Sequence, residues 1–207
     1  MPIIDQPREN LIHKLIFAHG AGAGADSNFI INLKTLLSAL DVDLIRLNFD
    51  YMQLMLESGK RRPPERINKL TEQFHQMITE LQQRTSDSIW IGGKSMGGRI
   101  ATMLHDTCEI TGIIVCGYPF HPIGKPDKLR IEHLSEIELP TLIVQGERDE
   151  FGNLTEVSNY KFGDNMSVKW LKDGDHSFKP RVKSGFTQQQ HLATAANHIA
   201  NFIKQQA

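Results

Sequence analysis

The chain has 207 residues, 40% of them hydrophobic and 23% charged, with 23 basic against 24 acidic side chains for a net charge of −1. This composition supports a buried core and excludes a disordered or low-complexity protein, and the balanced charge supplies no global field for nucleic acid. No apolar run approaches the roughly 18 residues of a membrane span, and the start, Met1-Pro2-Ile3-Ile4-Asp5, lacks the basic end and apolar stretch of a signal peptide, so the expectation is a cytoplasmic single domain over residues 1–207.

In chain order, Leu15–Ala18 reads as a first strand ending in His19-Gly20, followed by a helix over about Asn28–Leu40. Leu44–Phe49 reads as the second strand. A polar stretch with Lys60-Arg61-Arg62-Pro63-Pro64 precedes a helix from about Glu65 to Arg84. Ser88–Ile91 is the third strand, Met96–His105 the next helix and Thr111–Cys116 the fourth strand. A Pro- and Gly-rich loop, with a helical turn near Leu129–Leu134, leads to strand five at Leu142–Val144. After a weak helix near Thr155–Tyr160, Ser167–Leu171 forms strand six. The last helix lines Leu192, Ala195, Ile199, Phe202 and Ile203 along one face. Short apolar runs alternating with amphipathic ones predict α/β architecture, a three-layer α/β/α sandwich around a mostly parallel sheet of about six strands.

Three glycine motifs compete for the functional reading. Gly20-Ala21-Gly22-Ala23-Gly24-Ala25 follows a strand and precedes a helix, as a dinucleotide fingerprint would, with alanine in the third position. Its acidic partner would be Asp50, about 25 positions on, but the tip of that strand carries the uncharged Asn48. Gly93-Lys94-Ser95 ends like a phosphate-binding loop, yet the position that must be glycine is Ser88, inside an apolar strand. The third motif is the pentapeptide Gly93-Lys94-Ser95-Met96-Gly97, a G-x-S-x-G pattern that chance produces in roughly one chain of this length in fifteen. Here a strand runs directly into it and a helix leaves directly after it, the context in which a sharp turn lifts a serine clear of the sheet and sets it at a helix N-terminus. An acid and an imidazole follow in the required order. Strand five runs into Gln145-Gly146-Glu147-Arg148-Asp149 and strand six into Lys172-Asp173-Gly174-Asp175-His176, both at the edge where parallel sheets place ligands.

These residues resemble the α/β-hydrolase superfamily, in its small dienelactone-hydrolase-like branch without a large lid. More narrowly, Phe17-Ala18-His19-Gly20-Ala21-Gly22-Ala23, Gly92–Arg99 and Gly117-Tyr118-Pro119-Phe120-His121-Pro122 are similar to a group that includes a testis-expressed hydrolase-like protein and a subunit of a chromatin-acetylation complex. The resemblance implies Ser95 as nucleophile, His176 as general base and Asp149 as the acid that orients it. Asp149 is favoured over its neighbours Glu147 and Glu150 because it holds the usual third position after Gly146. The amides of Ala21 and Met96 would form the oxyanion hole. The activity implied is a serine hydrolase of small to medium esters or thioesters through an acyl-enzyme on Ser95, with no metal and no organic cofactor. The alternative is a non-catalytic interaction module that keeps the fold.

Other residues carry weaker expectations. Lys94, unusual inside such a turn, and His121 are candidates for substrate binding, and His19 for a hydrogen bond that holds the first turn. Cys116 reads as a buried inert thiol, since nothing adjacent would lower its pKa. The Lys60-Arg61-Arg62 run is a candidate contact for an anionic acyl group or a partner. About 24 residues between strands four and five leave too little chain for a helical lid. Edge strands and an exposed loop near Tyr51 are candidates for a homodimer surface.

Overall fold

A computed structural model describes residues 5–9, 11 and 13–206; the chain start on which the signal-peptide reading rests lies in part outside these described residues. Strands that are apolar at nearly every position need cover on both faces. β4 (Gly112–Cys116) and β5 (Thr141–Gly146) are buried throughout, and they sit inside a six-stranded sheet with β1 (His13–Ala18), β2 (Val42–Leu47), β3 (Ile89–Lys94) and β6 (Met166–Leu171). The order is β2-β1-β3-β4-β5-β6 and every neighbouring pair is parallel. Because alternate residues point to opposite faces, Leu15 and Phe17 pack into the layer of α1 (Asn28–Ser38) and α6 (Gln188–Gln205). Ile16 and Ala18 pack into the layer of α2 (Asp50–Ser58), α3 (Ile67–Gln82) and α4 (Met96–Thr102). The result is the three-layer sandwich expected from the sequence.

Local chemistry explains most element ends. Thr187 caps α6 by accepting from the Gln190 amide, while the Gln190 side chain accepts from the Thr187 amide. The predicted face of α6 is the buried one, with Phe202 set edge-on against Trp90 at 5.9 Å. The single turn α5 (Leu154–Val157) has the same reciprocal cap between Asn153 and Glu156, but is shorter than predicted. The helical turn before β5 lies at Glu132–Glu136 and is a 3-10 turn. It is the only helical structure between β4 and β5 among the described residues, so no large lid covers the sheet edge.

One expectation is corrected. The segment after β2 is a nine-residue helix, α2, and Tyr51 is only 2% exposed. The exposed loop proposed there as a dimer surface does not exist. The sequence hides α2 because Leu54 and Leu56 are exposed while only Tyr51 and Met52 are buried, which blurs its amphipathic pattern. No helix among the described residues is long and apolar enough to cross a membrane.

Candidate active site

β1 and β3 are neighbours, yet the chain leaves them toward opposite edges of the sheet. Their carboxyl ends therefore open a crevice, the place where open parallel sheets bind ligands. The Gly93–Gly97 turn fills one side of that crevice and the His19–Gly24 loop the other.

Ser95 stands between β3 and α4 with φ 53° and ψ −115°, a conformation that costs a non-glycine residue on the order of 1–3 kcal/mol. Its amide is anchored to the Cys116 carbonyl of β4 at 3.0 Å. The flanking glycines are steric requirements. A Cβ on Gly93 would stand 2.4 Å from the Gly97 carbonyl carbon, and one on Gly97 would stand 2.5 Å from the Ala18 carbonyl oxygen. Both are far inside van der Waals contact, so the tight strand-to-helix turn exists only with glycine there.

The serine faces His176, whose Nε2 lies 2.9 Å from Ser95 Oγ. On the other side of the ring, Nδ1 lies 2.8 Å from Asp149 Oδ2. A carboxylate only accepts, so Nδ1 carries the proton and Nε2 presents a lone pair to the serine hydroxyl. Asp149 is fully buried and also accepts from Gln145 Nε2 at 2.9 Å and from the Phe151 amide at 2.9 Å. Burial pulls the His176 pKa down, the Asp149 hydrogen bond pushes it back up, and the nearby Lys94 charge lowers it again. The ring is therefore neutral, and able to accept a proton, at pH 7.

The rival acids are occupied or remote. Glu147 accepts from the Asp173 amide at 2.8 Å and so joins the loop after β5 to the loop after β6. Glu150 is exposed.

His19 is buried between Gly20 and Phe49: its Nδ1 donates to the Gly20 carbonyl at 2.6 Å and its Nε2 accepts from the Phe49 amide at 3.2 Å. Burial pushes its pKa down to about 4, so it is a neutral brace for the loop, in its expected role. Tyr51 adds a second brace, its hydroxyl donating toward the Ala21 carbonyl at 3.3 Å. The Ala21 and Met96 amides donate to no group among the described residues, and both residues line the space beside Ser95.

Ser95 sits at the junction of two cavities. One, about 330 Å³, runs past His176 between Phe29, Ile30 and the Gly20–Ala23 loop. The other, about 290 Å³, lies over α4 between Met96, Arg99, Pro119 and Arg130. Ala21, Ser95 and Phe151 belong to both. A larger open hollow of about 610 Å³ lies at the opposite, amino-terminal ends of β3 and β4, and gathers no comparable set of groups.

Of the remaining predicted residues, Lys94 borders the first cavity, but its Nζ is buried without a hydrogen-bond acceptor among the described residues. It lies 5.5 Å from the Phe29 ring centroid and 6.0 Å from that of Phe178, and burial pushes its pKa down to about 8. His121 lines neither cavity. It is 2% exposed, with its Nδ1 donating to the Pro122 carbonyl at 2.9 Å and its Nε2 3.3 Å from Glu156, contacts that hold the loop after β4. Lys60, Arg61 and Arg62 are exposed and border neither cavity. Cys116 is fully buried, and burial pushes its thiol up to about 12 despite the Lys94 charge, which makes it inert. Among the described residues no group of three or more His, Cys, Asp or Glu side chains is gathered as metal ligands.

Sequence reasoning missed Gln145, Tyr51, Arg99 and Arg130. Gln145, fully buried, exchanges hydrogen bonds with the Tyr118 backbone while holding Asp149. The signal for it was a polar residue at an inward position of an otherwise apolar strand.

A model of the alpha/beta hydrolase domain matches residues 12–204. No curated protein matches the chain by sequence. Among solved structures, Est1E from Butyrivibrio proteoclasticus is similar, with a TM-score of 0.67 at 15% identity over 95% of this chain and 89% of its own. A dienelactone hydrolase from Anabaena variabilis gives 0.66 at 16% identity, covering 95% and 88%. A serine hydrolase without lid from Xanthomonas campestris gives 0.65 at 16%, covering 94% and 87%. At such identities the likeness is one of fold. With the family model spanning all six strands and the glycine-bound turn at Ser95 in its expected place, the chain belongs to the alpha/beta hydrolase family.

Proposed function

We propose that the chain is a cytoplasmic, single-domain serine hydrolase that cleaves carboxylic esters or thioesters of small to medium size through an acyl-enzyme on Ser95. The observation that carries this reading is the unbroken line from Ser95 Oγ to His176 Nε2 at 2.9 Å and from His176 Nδ1 to Asp149 Oδ2 at 2.8 Å. In the first step Ser95 Oγ attacks the substrate carbonyl and its proton passes to His176. The imidazolium is stabilised by Asp149, and the carbonyl oxygen takes the negative charge facing the free amides of Ala21 and Met96. Collapse of the tetrahedral adduct breaks the bond to the alcohol or thiol, which leaves with the His176 proton. Water, deprotonated by His176, then attacks the acyl-enzyme and releases the acid.

The two cavities assign sides to the substrate. The leaving atom must come within hydrogen-bond reach of His176, so the leaving group occupies the cavity that His176 lines, and the acyl group the cavity over α4. Neither volume suits a long acyl chain, and both are open.

The test is covalent labelling by a fluorophosphonate, with the adduct located by mass spectrometry. Labelling on Ser95 that is lost in Ser95→Ala and slowed in His176→Ala supports the reading. Absence of labelling in folded wild-type protein overturns it and favours a non-catalytic interaction module.

A further inference from the structure

We propose that the acyl-side cavity selects an acyl group ending in a carboxylate, held by Arg99 and Arg130, so that the substrate is a half-ester or half-thioester of a short dicarboxylic acid. This rests on the serine hydrolase reading and narrows its substrate class.

Arg99 lies one turn beyond Ser95 on α4, with its amide bonded to the Ser95 carbonyl at 3.0 Å, so the two side chains share a face of the helix. Arg130 enters from the loop between β4 and β5. Its backbone is fixed twice, by its amide donating to the Phe120 carbonyl at 2.8 Å and by its carbonyl accepting from the Tyr118 hydroxyl at 2.7 Å. Both arginines line the cavity that Ser95 and Met96 also line.

What marks them is the missing counter-charge. Neither guanidinium forms an ion pair among the described residues although both arginines are partly buried; the partly buried Arg46 and Arg148 each meet a carboxylate, and the other arginines without an ion pair, Arg8, Arg61, Arg62, Arg66 and Arg84, are exposed. Arg99 Nε is buried with no hydrogen-bond partner among the described residues. A buried donor without an acceptor is costly, and doubly so beside a like charge. The Arg130 pKa is lowered by its own burial and by the Arg99 charge, so the two cations repel each other.

The one carboxylate lining the cavity does not answer them. Glu65 accepts from Lys69 through Oε1 and from Gln73 Nε2 through Oε2 at 2.8 Å, so both its oxygens are engaged. On the far side, His133 meets Thr102 Oγ1 at 2.9 Å, and its pKa is lowered by burial and by Arg99, leaving it without positive or negative charge at pH 7. The cavity walls are otherwise apolar: Ile67, Leu70, Ile100 and Phe151. An apolar chamber with Ser95 at one end and two planar cations that have the Tyr118 hydroxyl nearby but no carboxylate partner fits a short methylene chain with an anion at its tip. The exposed Lys60–Arg62 run has none of these features.

The experiment compares kcat/KM for p-nitrophenyl hydrogen esters of succinic to adipic acid with that for the same compounds capped as methyl esters. Wild-type protein is expected to prefer the best free acid by at least about tenfold, the minimum for a charge-assisted hydrogen bond of roughly 1.5 kcal/mol or more. That ratio falls toward one in Arg130→Gln and Arg99→Gln and is largely kept in Arg130→Lys; a ratio cancels any general loss of folded or active protein. In parallel, calorimetric binding of glutarate to the Ser95→Ala protein reads the anion site without chemistry, and is expected to weaken about tenfold in Ser95→Ala/Arg130→Gln. Equal or faster hydrolysis of the capped esters by fluorophosphonate-reactive wild type overturns the inference while leaving the hydrolase reading intact. Arginine-dependent glutarate binding in a protein that neither labels nor hydrolyses supports the anion site and overturns the hydrolase reading.

Discussion

Lys94→Met is expected to stabilise the protein at neutral pH, by an amount that shrinks as the solution is made alkaline. Lys94 is the last residue of β3, and its ammonium is buried with no acceptor; its compensation is the faces of Phe29 and Phe178 at 5.5 and 6.0 Å. Burial takes its pKa from 10.5 to about 8. Since one pKa unit corresponds to about 1.36 kcal/mol, holding the charged form costs the folded state about 3 kcal/mol. Below pH 8 lysine is charged in both states and the whole cost is present. As pH rises from 8 to 10.5 the folded protein gives up the proton first, the unfolded chain binds more protons, and the cost disappears. Methionine fills a similar length without charge, at the loss of a cation–π term of about 1 kcal/mol. The variant is therefore expected to exceed wild type by roughly 2 kcal/mol at pH 7, and the difference to fall by about 3 kcal/mol toward pH 10.5. Urea unfolding of both proteins at pH 7, 8, 9 and 10, followed by fluorescence of Trp90 and Trp170, measures it. Working with the difference cancels the alkaline titration of Tyr118, which burial places at about 12 in both proteins. A difference that does not change with pH would refute the buried ammonium without a hydrogen-bond acceptor. The same substitution removes a charge that lowers the His176 pKa, so the acid limb of kcat/KM moves to higher pH in the variant.

Asp149→Asn is expected to lower kcat by about 10³–10⁴ with little change in fold, because an amide cannot stabilise the imidazolium and favours the wrong tautomer; steady-state kinetics and circular dichroism together check it. Gln145→Leu leaves the buried Tyr118 amide without its 2.7 Å acceptor and removes one donor from Asp149, so a stability loss of about 1–3 kcal/mol accompanies a fall in kcat of about tenfold. Denaturant midpoints and kcat, measured on the same preparation, separate the two effects. Gly97→Ala drives a methyl to 2.5 Å from the Ala18 carbonyl and is expected to yield protein that is insoluble or does not label with fluorophosphonate. Wild-type labelling of that variant would show that the turn can relax.

The sheet was legible in the sequence because its strands are short apolar runs punctuated by polar and glycine residues, a signal that survives without any knowledge of partners. All six strands lie where the alternation places them, with ends displaced by up to about three residues, as at β3, which runs on to Lys94. The Ser95, Asp149 and His176 positions were legible for a different reason. Each lies in the loop or turn that follows a strand, so knowing the strands and their order fixes the edge on which the side chains emerge. What the sequence hides is tertiary. Position alone favours Asp149 over Glu147 in the sequence; what it does not report is that the Glu147 carboxylate accepts from the Asp173 amide of the neighbouring loop while Asp149 meets His176.

The residues that support the site, Gln145, Tyr51 and His19, share one property: each also bonds a group far away in the chain. Gln145 holds Asp149 four positions on, but its other partners are the Tyr118 backbone and the Gly152 carbonyl, so it ties the loop after β4 to the loop after β5. Tyr51 reaches back to the carbonyls of Gly20 and Ala21, and His19 reaches forward to the Phe49 amide. These contacts make α2 the support on which the Ala21 loop rests, and α2 is the helix that the hydrophobic pattern failed to reveal. The connection has a physical reason. A nine-residue helix that buries only Tyr51 and Met52, one of which also braces a loop, carries too few apolar positions to produce a periodic signal. Support for a site built on loops is thus the part of a fold that sequence periodicity reports least, even where the candidate site residues themselves stand in plain view.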